Sequence, residues 1–120
     1  MIISKSKIKD ADSIAKSGTE YTSPVLRANQ STGEVGILLV STGGSITITQ
    51  QCSLDQENWY DPVDSTGSAI GDVCSAQTVT TGLWISFSPV LTPYIRFKIV
   101  EGGTAATVVT ITYIWQESKI

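Results

Sequence analysis

The feature that most constrains the fold of this sequence is the alternation of apolar and polar residues, which is clearest over residues 46–54. One face of an extended chain there carries Ile46, Ile48, Cys52 and Leu54. Alternation with a period of two predicts a strand with one face on a core. Val, Ile and Thr supply 39 of the 120 residues, and these β-branched side chains favour strands over helices. The chain is therefore predicted to be all-β.

Turn-forming residues recur roughly every 8 to 12 residues, which is typical of a sandwich or a barrel. The predicted strands are 21–28, 35–41 (buried on both faces), 46–54, 82–88, 94–100 and 105–115, with a weak one in the polar loop 64–77. We expect a single antiparallel β-sandwich domain at residues 21–120, of jelly-roll or immunoglobulin-like type, with roughly seven to eight strands. Residues 1–20 precede it as an N-terminal arm.

The arm holds four of the six lysines and no aromatic residue. If it is extended, Lys5, Lys7 and Lys9 share one face, and Ile8 lies on the other. An extended segment of this kind can add a strand to the open sheet edge of a partner. Three alternatives stay open: a mobile tail, docking on the chain's own sandwich, and a short helix over 10–16.

The absence of histidine removes the commonest general base and the commonest metal ligand. Ser-His-Asp and Cys-His sites are therefore excluded within one chain, as are histidine zinc sites. A net charge of −3 argues against a dedicated nucleic-acid binder, which usually carries a clustered basic footprint. Apolar runs fall far short of the roughly 20 residues that span a bilayer, and we expect no secretory signal, because lysines and no long apolar run follow the first residues. We expect no enzyme activity, no cofactor, no nucleic-acid partner and no membrane partner.

The densest charged group consists of Asp55, Glu57, Asp61 and Asp64. Carboxylates gathered in a loop can bind Ca²⁺, but the EF-hand spacing is missing and Pro62 restrains the backbone. Paired carboxylates also serve glycosidases, but nothing in the sequence places two of them in a cleft. We interpret this group as a solvated turn and predict neither a metal site nor a catalytic site.

The aromatic residues can form a sugar-stacking platform or an interface patch; they are Trp59, Tyr60, Trp84, Tyr94 and Trp115. Trp59 and Trp115 follow apolar strand positions and are predicted to lie in the core. Trp84 is predicted to point outward, because its neighbours take the opposite face. An outward tryptophan suits an anchor for a protein contact.

The strand predicted at 94–100 has two chemically different faces. Its apolar side carries Ile95, Phe97 and Ile99, and its polar side carries Tyr94, Arg96 and Lys98. We interpret the polar side as a partner-binding face whose cations pair with carboxylates of another subunit. An ordinary solvated strand face is the alternative.

Three segments follow one another in a recognisable order. They are 55–59 (Asp-Gln-Glu-Asn-Trp), 93–99 (Pro-Tyr-Ile-Arg-Phe-Lys-Ile) and 102–111 (Gly-Gly-Thr-Ala-Ala-Thr-Val-Val-Thr-Ile). Together they resemble the small β-sandwich virion proteins of tailed bacteriophages. Those proteins often carry a Ser-x-Asp-Gly-x-x-Trp turn, a Tyr-x-Arg-x-Lys strand and a Gly/Ala/Thr-rich hairpin. The resemblance covers roughly residues 44–115, and Gln56 stands where the family usually has Gly.

The resemblance implies a structural role in a virion assembled in the host cytoplasm. We expect a capsid decoration (cement) protein that binds the shell and bridges subunits of the major capsid protein or other virion proteins. A homo-oligomer is expected, and a trimer suits three-fold lattice positions. A tail, neck or baseplate component is the first alternative. The second is a carbohydrate-binding module for host attachment that uses Trp84 and Tyr94.

Cys52 and Cys74 are the only cysteines of the sequence. They can meet across neighbouring strands as a disulfide, or they can remain free as two small buried side chains. Assembly in a reducing cytoplasm, which the resemblance implies, favours free thiols.

Overall fold

The computed structural model describes residues 2–23, 34–78 and 82–117, and these contain strands and turns but no helix. They therefore include no helix that could cross a membrane. The described part of the chain forms eight strands, which are β1 (Ile2–Ile14), β2 (Thr19–Tyr21), β3 (Val35–Ser41), β4 (Ile46–Ser53), β5 (Asp72–Gln77), β6 (Leu83–Phe87), β7 (Tyr94–Glu101) and β8 (Thr107–Glu117). The prediction of an all-β chain is confirmed.

The strands form two antiparallel sheets of four strands each. The first sheet has the order β1-β8-β3-β6, and the second has the order β2-β7-β4-β5. Phe97 of the second sheet contacts Phe87 and Tyr113 of the first, with ring centroids 6.1 and 5.7 Å apart. These contacts between the inner faces give the fold its sandwich-like arrangement.

The core follows from alternation along the central strands. The buried apolar side chains are Ile14, Val35, Ile37, Leu39, Ile46, Ile48, Ile95, Phe97, Ile99, Val109, Ile111 and Tyr113. Along β7 every second residue is buried, as the sequence pattern predicts. In β3, burial on both faces was the wrong prediction, because Val40 is exposed and Leu38 is half-buried on the outer face.

One buried carboxylate holds one end of the sandwich together. Glu101 is 1% exposed, and its two oxygens accept hydrogen bonds from the backbone N–H groups of Ser17, Ser45, Gly103 and Thr104 at 2.6 to 3.2 Å. These donors, the Ser17 and Ser45 N–H groups foremost, lower the pKa of Glu101 to about 2. The donors belong to the turns after β1, β3 and β7. Each of these turns carries the chain from one sheet to the other.

The N-terminal arm lies on this chain's own sheet. Residues 2–14 form the 13-residue strand β1, which pairs with β8 from Ile2↔Glu117 to Ile14↔Thr107. The helix over 10–16 was the wrong prediction. Pairing with β8 satisfies the backbone and buries Ile14 in the core, and both gains outweigh the local capping signal.

Other boundaries differ in smaller ways. The predicted strand 21–28 overlaps β2 only at Tyr21, and its residues from 24 onward lie outside the described part of the chain. The weak strand in the polar loop is β5. Leu54, predicted to face inward, is 79% exposed because β4 ends one residue earlier, at Ser53.

Candidate partner-binding surfaces

The outer face of the first sheet is centred on Trp84. This residue lies in β6 opposite Leu38 of β3, and it is 60% exposed. The outward orientation predicted for Trp84 is confirmed. Its indole crosses β3 at Gly36, where a Cβ atom would stand 3.2 Å from the indole Nε1. The missing side chain at Gly36 therefore makes the space in which the indole lies.

Apolar atoms continue from Trp84 across β3 and β8 to β1. A shallow groove of about 160 Å³ runs beside the indole, and its lining includes Ile3, Gly36, Trp84 and Ile114. We call this surface the Trp84 face; it consists of Ile3, Lys5, Lys7, Gly36, Leu38, Val40, Trp84, Thr112 and Ile114. Exposed apolar groups rimmed by polar ones are typical of protein contact sites.

The lysines of β1 do not all reach this face. Lys7 is exposed, but the pairing with β8 then jumps to Lys9, so Ile8 is the extra residue of a β-bulge. Lys9 lies opposite the buried Ile111, and its side chain is only 13% exposed and contacts Asp12 at 3.3 Å. Ile8 packs against the core. The prediction of one face for three lysines was wrong for Lys9, because alternation does not show where a bulge inserts a residue.

The outer face of the second sheet carries Tyr94, Arg96 and Lys98 along β7, as predicted. The Arg96 guanidinium lies over two aromatic rings. Its Cζ atom is 4.3 Å from the ring centroid of Tyr21 and 4.7 Å from that of Trp59. Arginine stacks on aromatic faces in this way because its planar, weakly hydrated cation is attracted by the ring quadrupole.

Hydrogen bonds fix the same guanidinium in its plane. Arg96 Nε donates to Gln51 Oε1 at 2.7 Å, and Gln51 Nε2 donates to Asp61 Oδ1 at 2.8 Å. Gln51 lies directly opposite Arg96 in β4. The Arg96 Nη groups donate to no acceptor, and Arg96 forms no ion pair, among the residues that the structure describes. We call Tyr21, Gln51, Trp59, Asp61 and Arg96 the Arg96 clamp.

Trp59 was predicted to lie in the core, and this was wrong. It is half-buried on the outer face of the second sheet, where it covers Arg96. Trp115, the other predicted core tryptophan, packs against the core and stacks on Tyr113 with ring centroids 5.5 Å apart. Alternation along 46–54 could have placed Gln51 outward beside Arg96, but no local pattern brings Tyr21 and Trp59 to the same point.

Trp84 and Tyr94 cannot share one ligand. Trp84 lies on the outer face of the first sheet, and Tyr94 lies on the outer face of the second. The core separates these two faces. A sugar-stacking platform built from both residues is therefore ruled out.

Two carboxylates of the acidic group, Asp55 and Asp64, build turns. Asp55 Oδ1 accepts hydrogen bonds from the N–H groups of Glu57 and Asn58, both at 2.9 Å, and Asp64 Oδ1 accepts from Thr66 and Ser68. These bonds hold the pKa of both carboxyls below the ordinary value, for Asp55 chiefly through Asn58. No group of three metal-ligating side chains gathers within residues 2–23, 34–78 and 82–117.

The turn at 54–58 contains Gln56, the residue at which the resemblance to phage virion proteins departs from their usual Gly. Gln56 has a φ of 64°, which is the left-handed conformation that glycine adopts without steric cost. The backbone N–H of Gln56 donates to Ser53 Oγ at 2.8 Å. The turn therefore keeps a glycine-type conformation although Gln occupies the position.

Cys52 and Cys74 are free thiols. Cys74 of β5 pairs with Ile48, which lies four residues before Cys52 along β4. Four residues of strand span roughly 13 Å, well beyond the Cα separation of about 7 Å that a disulfide allows. The disulfide alternative is excluded for this reason, and the structure has the free thiols that a reducing cytoplasm favours. Burial raises the pKa of both thiols, which disfavours the reactive thiolate form.

No protein-family model matches this chain, and no curated protein is significantly similar to it in sequence. The resemblance to phage virion proteins therefore stays a prediction that depends on its three motifs.

Proposed function

We propose that this chain is a structural protein of a tailed-bacteriophage virion, and specifically a capsid decoration (cement) protein. The motifs at 55–59, 93–99 and 102–111 support the virion role. The observation that supports binding to another protein is the Trp84 face. A large, exposed indole on a paired strand is the kind of anchor that dominates protein interfaces.

We also propose that the sandwich has jelly-roll topology. In a jelly roll, one long antiparallel hairpin is formed by strands paired from its open end to its turn. The corresponding pairs here are β1:β8, β2:β7, β3:β6 and β4:β5. The pairs β3:β8 and β4:β7 arise when that hairpin winds onto itself into two sheets. Jelly rolls occur in viral capsid proteins and in lectins, so this topology is compatible with a virion role.

The Trp84 face suits a shell protein with an apolar surface and an acidic rim. Trp84 and Ile3 supply apolar area, and Lys5 and Lys7 supply positive charge at the β1 side. Burying the indole supplies affinity, while the lysines steer the approach and fix the register. The partner in this proposal is the major capsid protein or another virion protein. The chain acts there as a homo-oligomer, for which a trimer fits three-fold positions.

Removal of the indole tests this proposal. Trp84→Ala should weaken binding to purified capsid shells by roughly ten-fold or more, since truncated anchors lose this much affinity. Tyr60→Ala is the matched control, because Tyr60 is an aromatic residue of similar exposure (63%) in the loop after β4. Equal binding by wild type, Trp84→Ala and Tyr60→Ala in a sedimentation assay would contradict the role of the Trp84 face.

A further inference from the structure

We propose that the Arg96 clamp is a second binding site, which takes the carboxylate of an acidic segment on a partner protein. It lies on the sheet opposite to the Trp84 face. The proposal goes beyond the decoration role and does not require that the partner be a shell protein.

The clamp presents Arg96 already arranged for a planar anion. The rings of Tyr21 and Trp59 both lie against the guanidinium, and the Nε bond to Gln51 fixes its rotation in the plane. The two Nη groups make no hydrogen bond within the described residues, and their N–H groups point in parallel as a fork of two donors. A carboxylate matches such a fork with two hydrogen bonds.

Arg96 forms no ion pair within the described residues, and Asp61, the carboxylate of the clamp, is bonded to Gln51 instead. The ion pairs of that part of the chain join Lys7 to Asp10 and Lys9 to Asp12, both on β1. Lys98 stands two residues along β7 on the same outer face and adds a second positive charge. Because the guanidinium is ordered before it binds, an incoming carboxylate does not have to order it.

The groups around the fork favour an acidic peptide over an acidic sugar. Recognition of sugar hydroxyls needs amide or carboxylate groups that are free to bond. The Gln51 amide is engaged at both ends, by Arg96 and by Asp61. Among the carboxylate and amide groups of the clamp, Asp61 Oδ2 alone makes no hydrogen bond within the described residues, and one free acceptor is few for a sugar ring. The two cations and the exposed Tyr21 ring suit an acidic peptide, with Tyr21 placed to contact a flanking side chain.

Titration of the full wild-type chain tests the site directly. We expect a capped peptide of alternating Gly and Glu to shift the NMR resonances of the Arg96 Nε–H and the Gln51 side-chain amide in a saturable way. The same peptide with Gln in place of Glu should leave them unchanged, and the Trp84 indole N–H should not move. Equal shifts with both peptides, or no shift with the Glu peptide, would overturn the proposal.

Two variants separate the fork from bulk charge. Arg96→Lys keeps the charge but loses the fork, so affinity for the Glu peptide should fall at least ten-fold. Lys16→Gln removes one positive charge from the exposed turn after β1, which belongs to neither surface, and affinity should stay within two-fold of wild type. Unchanged binding by Arg96→Lys contradicts the site; if this variant does not fold, the wild-type titration still decides.

A polymer comparison distinguishes the source of the carboxylate. Polyglutamate should compete with the Glu peptide more strongly than polygalacturonate at equal carboxylate concentration. The reverse order would overturn the assignment to a protein partner. Shell binding through Trp84 is measured in a separate assay. A negative peptide titration would therefore overturn the Arg96 site without affecting the proposed decoration role, and a negative shell-binding assay would leave the Arg96 site unaffected.

Discussion

The two outer faces of this sandwich are built in opposite ways. The Trp84 face depends on a missing side chain, because Gly36 leaves room for an indole that stays largely exposed. The Arg96 clamp depends on side chains from three segments, because the rings of Tyr21 and Trp59 lie against the Arg96 guanidinium. The first is apolar with lysines at one side, and the second is cationic with an amide behind it. One small domain thus presents two chemically distinct surfaces on opposite sides.

The difference also decides how much of each face could be predicted from the sequence. Trp84 and Arg96 each sit on an alternating strand, so their outward orientation could be predicted. The role of Gly36 and the partners of Arg96 could not. They depend on which strands become neighbours, and this is fixed by the whole topology, not by local pattern.

The same limit explains the errors elsewhere. Alternation predicted the inner faces of β4 and β7 because burial is a property of each strand. It failed at Lys9, where a bulge shifts the register, and at Leu54, where the strand has already ended. It also failed at Trp59, whose position follows a turn and not a strand. Local pattern is reliable only inside regular pairing.

The largest expected effect comes from the one residue on which both faces depend. Glu101→Gln replaces an acceptor with a donor facing the N–H groups of Ser17, Ser45, Gly103 and Thr104. We expect the melting temperature to fall by on the order of 10 °C. Binding at the Trp84 face and binding at the Arg96 clamp should weaken together, because the turns that Glu101 bonds to connect the two sheets. Thermal unfolding followed by circular dichroism measures the change in melting temperature. Loss of binding at only one of the two surfaces would contradict the claim that Glu101 supports both.

The same residue predicts an acid dependence with a definite sign. The folded-state pKa of Glu101 is about 2, below its ordinary value of 4.5. Its stabilising contribution is therefore complete above about pH 4.5 and is lost as the pH falls toward 2. Wild-type stability should decline over this range, and Glu101→Gln should decline less. Asp55 and Asp64 make the same contribution to the pH dependence of stability in wild type and in Glu101→Gln. An equal pH dependence in the two proteins would therefore show that Glu101 does not contribute to it.

The next effect separates the two faces. Gly36→Val places a branched side chain where the Trp84 indole lies, and we expect a loss of roughly 1 to 2 kcal/mol in unfolding free energy. Shell binding should fall with it, while the Arg96 resonances stay unchanged. Gly102→Ala is the control, because its Cβ meets Ser45 Oγ at an ordinary 3.4 Å. An unmoved Trp84 indole resonance in Gly36→Val would show that Gly36 does not set the position of the ring.

A smaller effect is expected from opening the clamp. Trp59→Ala removes one of the two rings over Arg96, which should lower the unfolding free energy by about 1 kcal/mol. The Arg96 Nε–H should then exchange faster with solvent. Within the described residues Tyr60, the neighbour of Trp59, contacts no cation, so Tyr60→Ala should leave that exchange rate as it is in wild type. Equal exchange rates in the two variants would mean that stacking does not order the guanidinium.

The smallest effect concerns the turn that precedes Trp59. Gln56→Gly relieves the left-handed strain at φ 64° and should stabilise the protein by roughly 0.5 to 1 kcal/mol. Glu57→Gly, one residue along, should destabilise it instead, because it only adds freedom to the unfolded chain. Urea denaturation compares the two, and stabilisation by neither or by both would refute the assignment of strain to Gln56.

The central claim is that this domain works by contact, through the Trp84 face. An image of the intact particle at a resolution that shows strands tests it most directly. The account predicts many copies of the two-sheet domain on the capsid shell, with the first sheet's outer face buried against it. A few copies at one vertex would instead indicate a neck or tail component. Absence of the domain from the particle, or a Trp84 face turned into solvent, would contradict the claim.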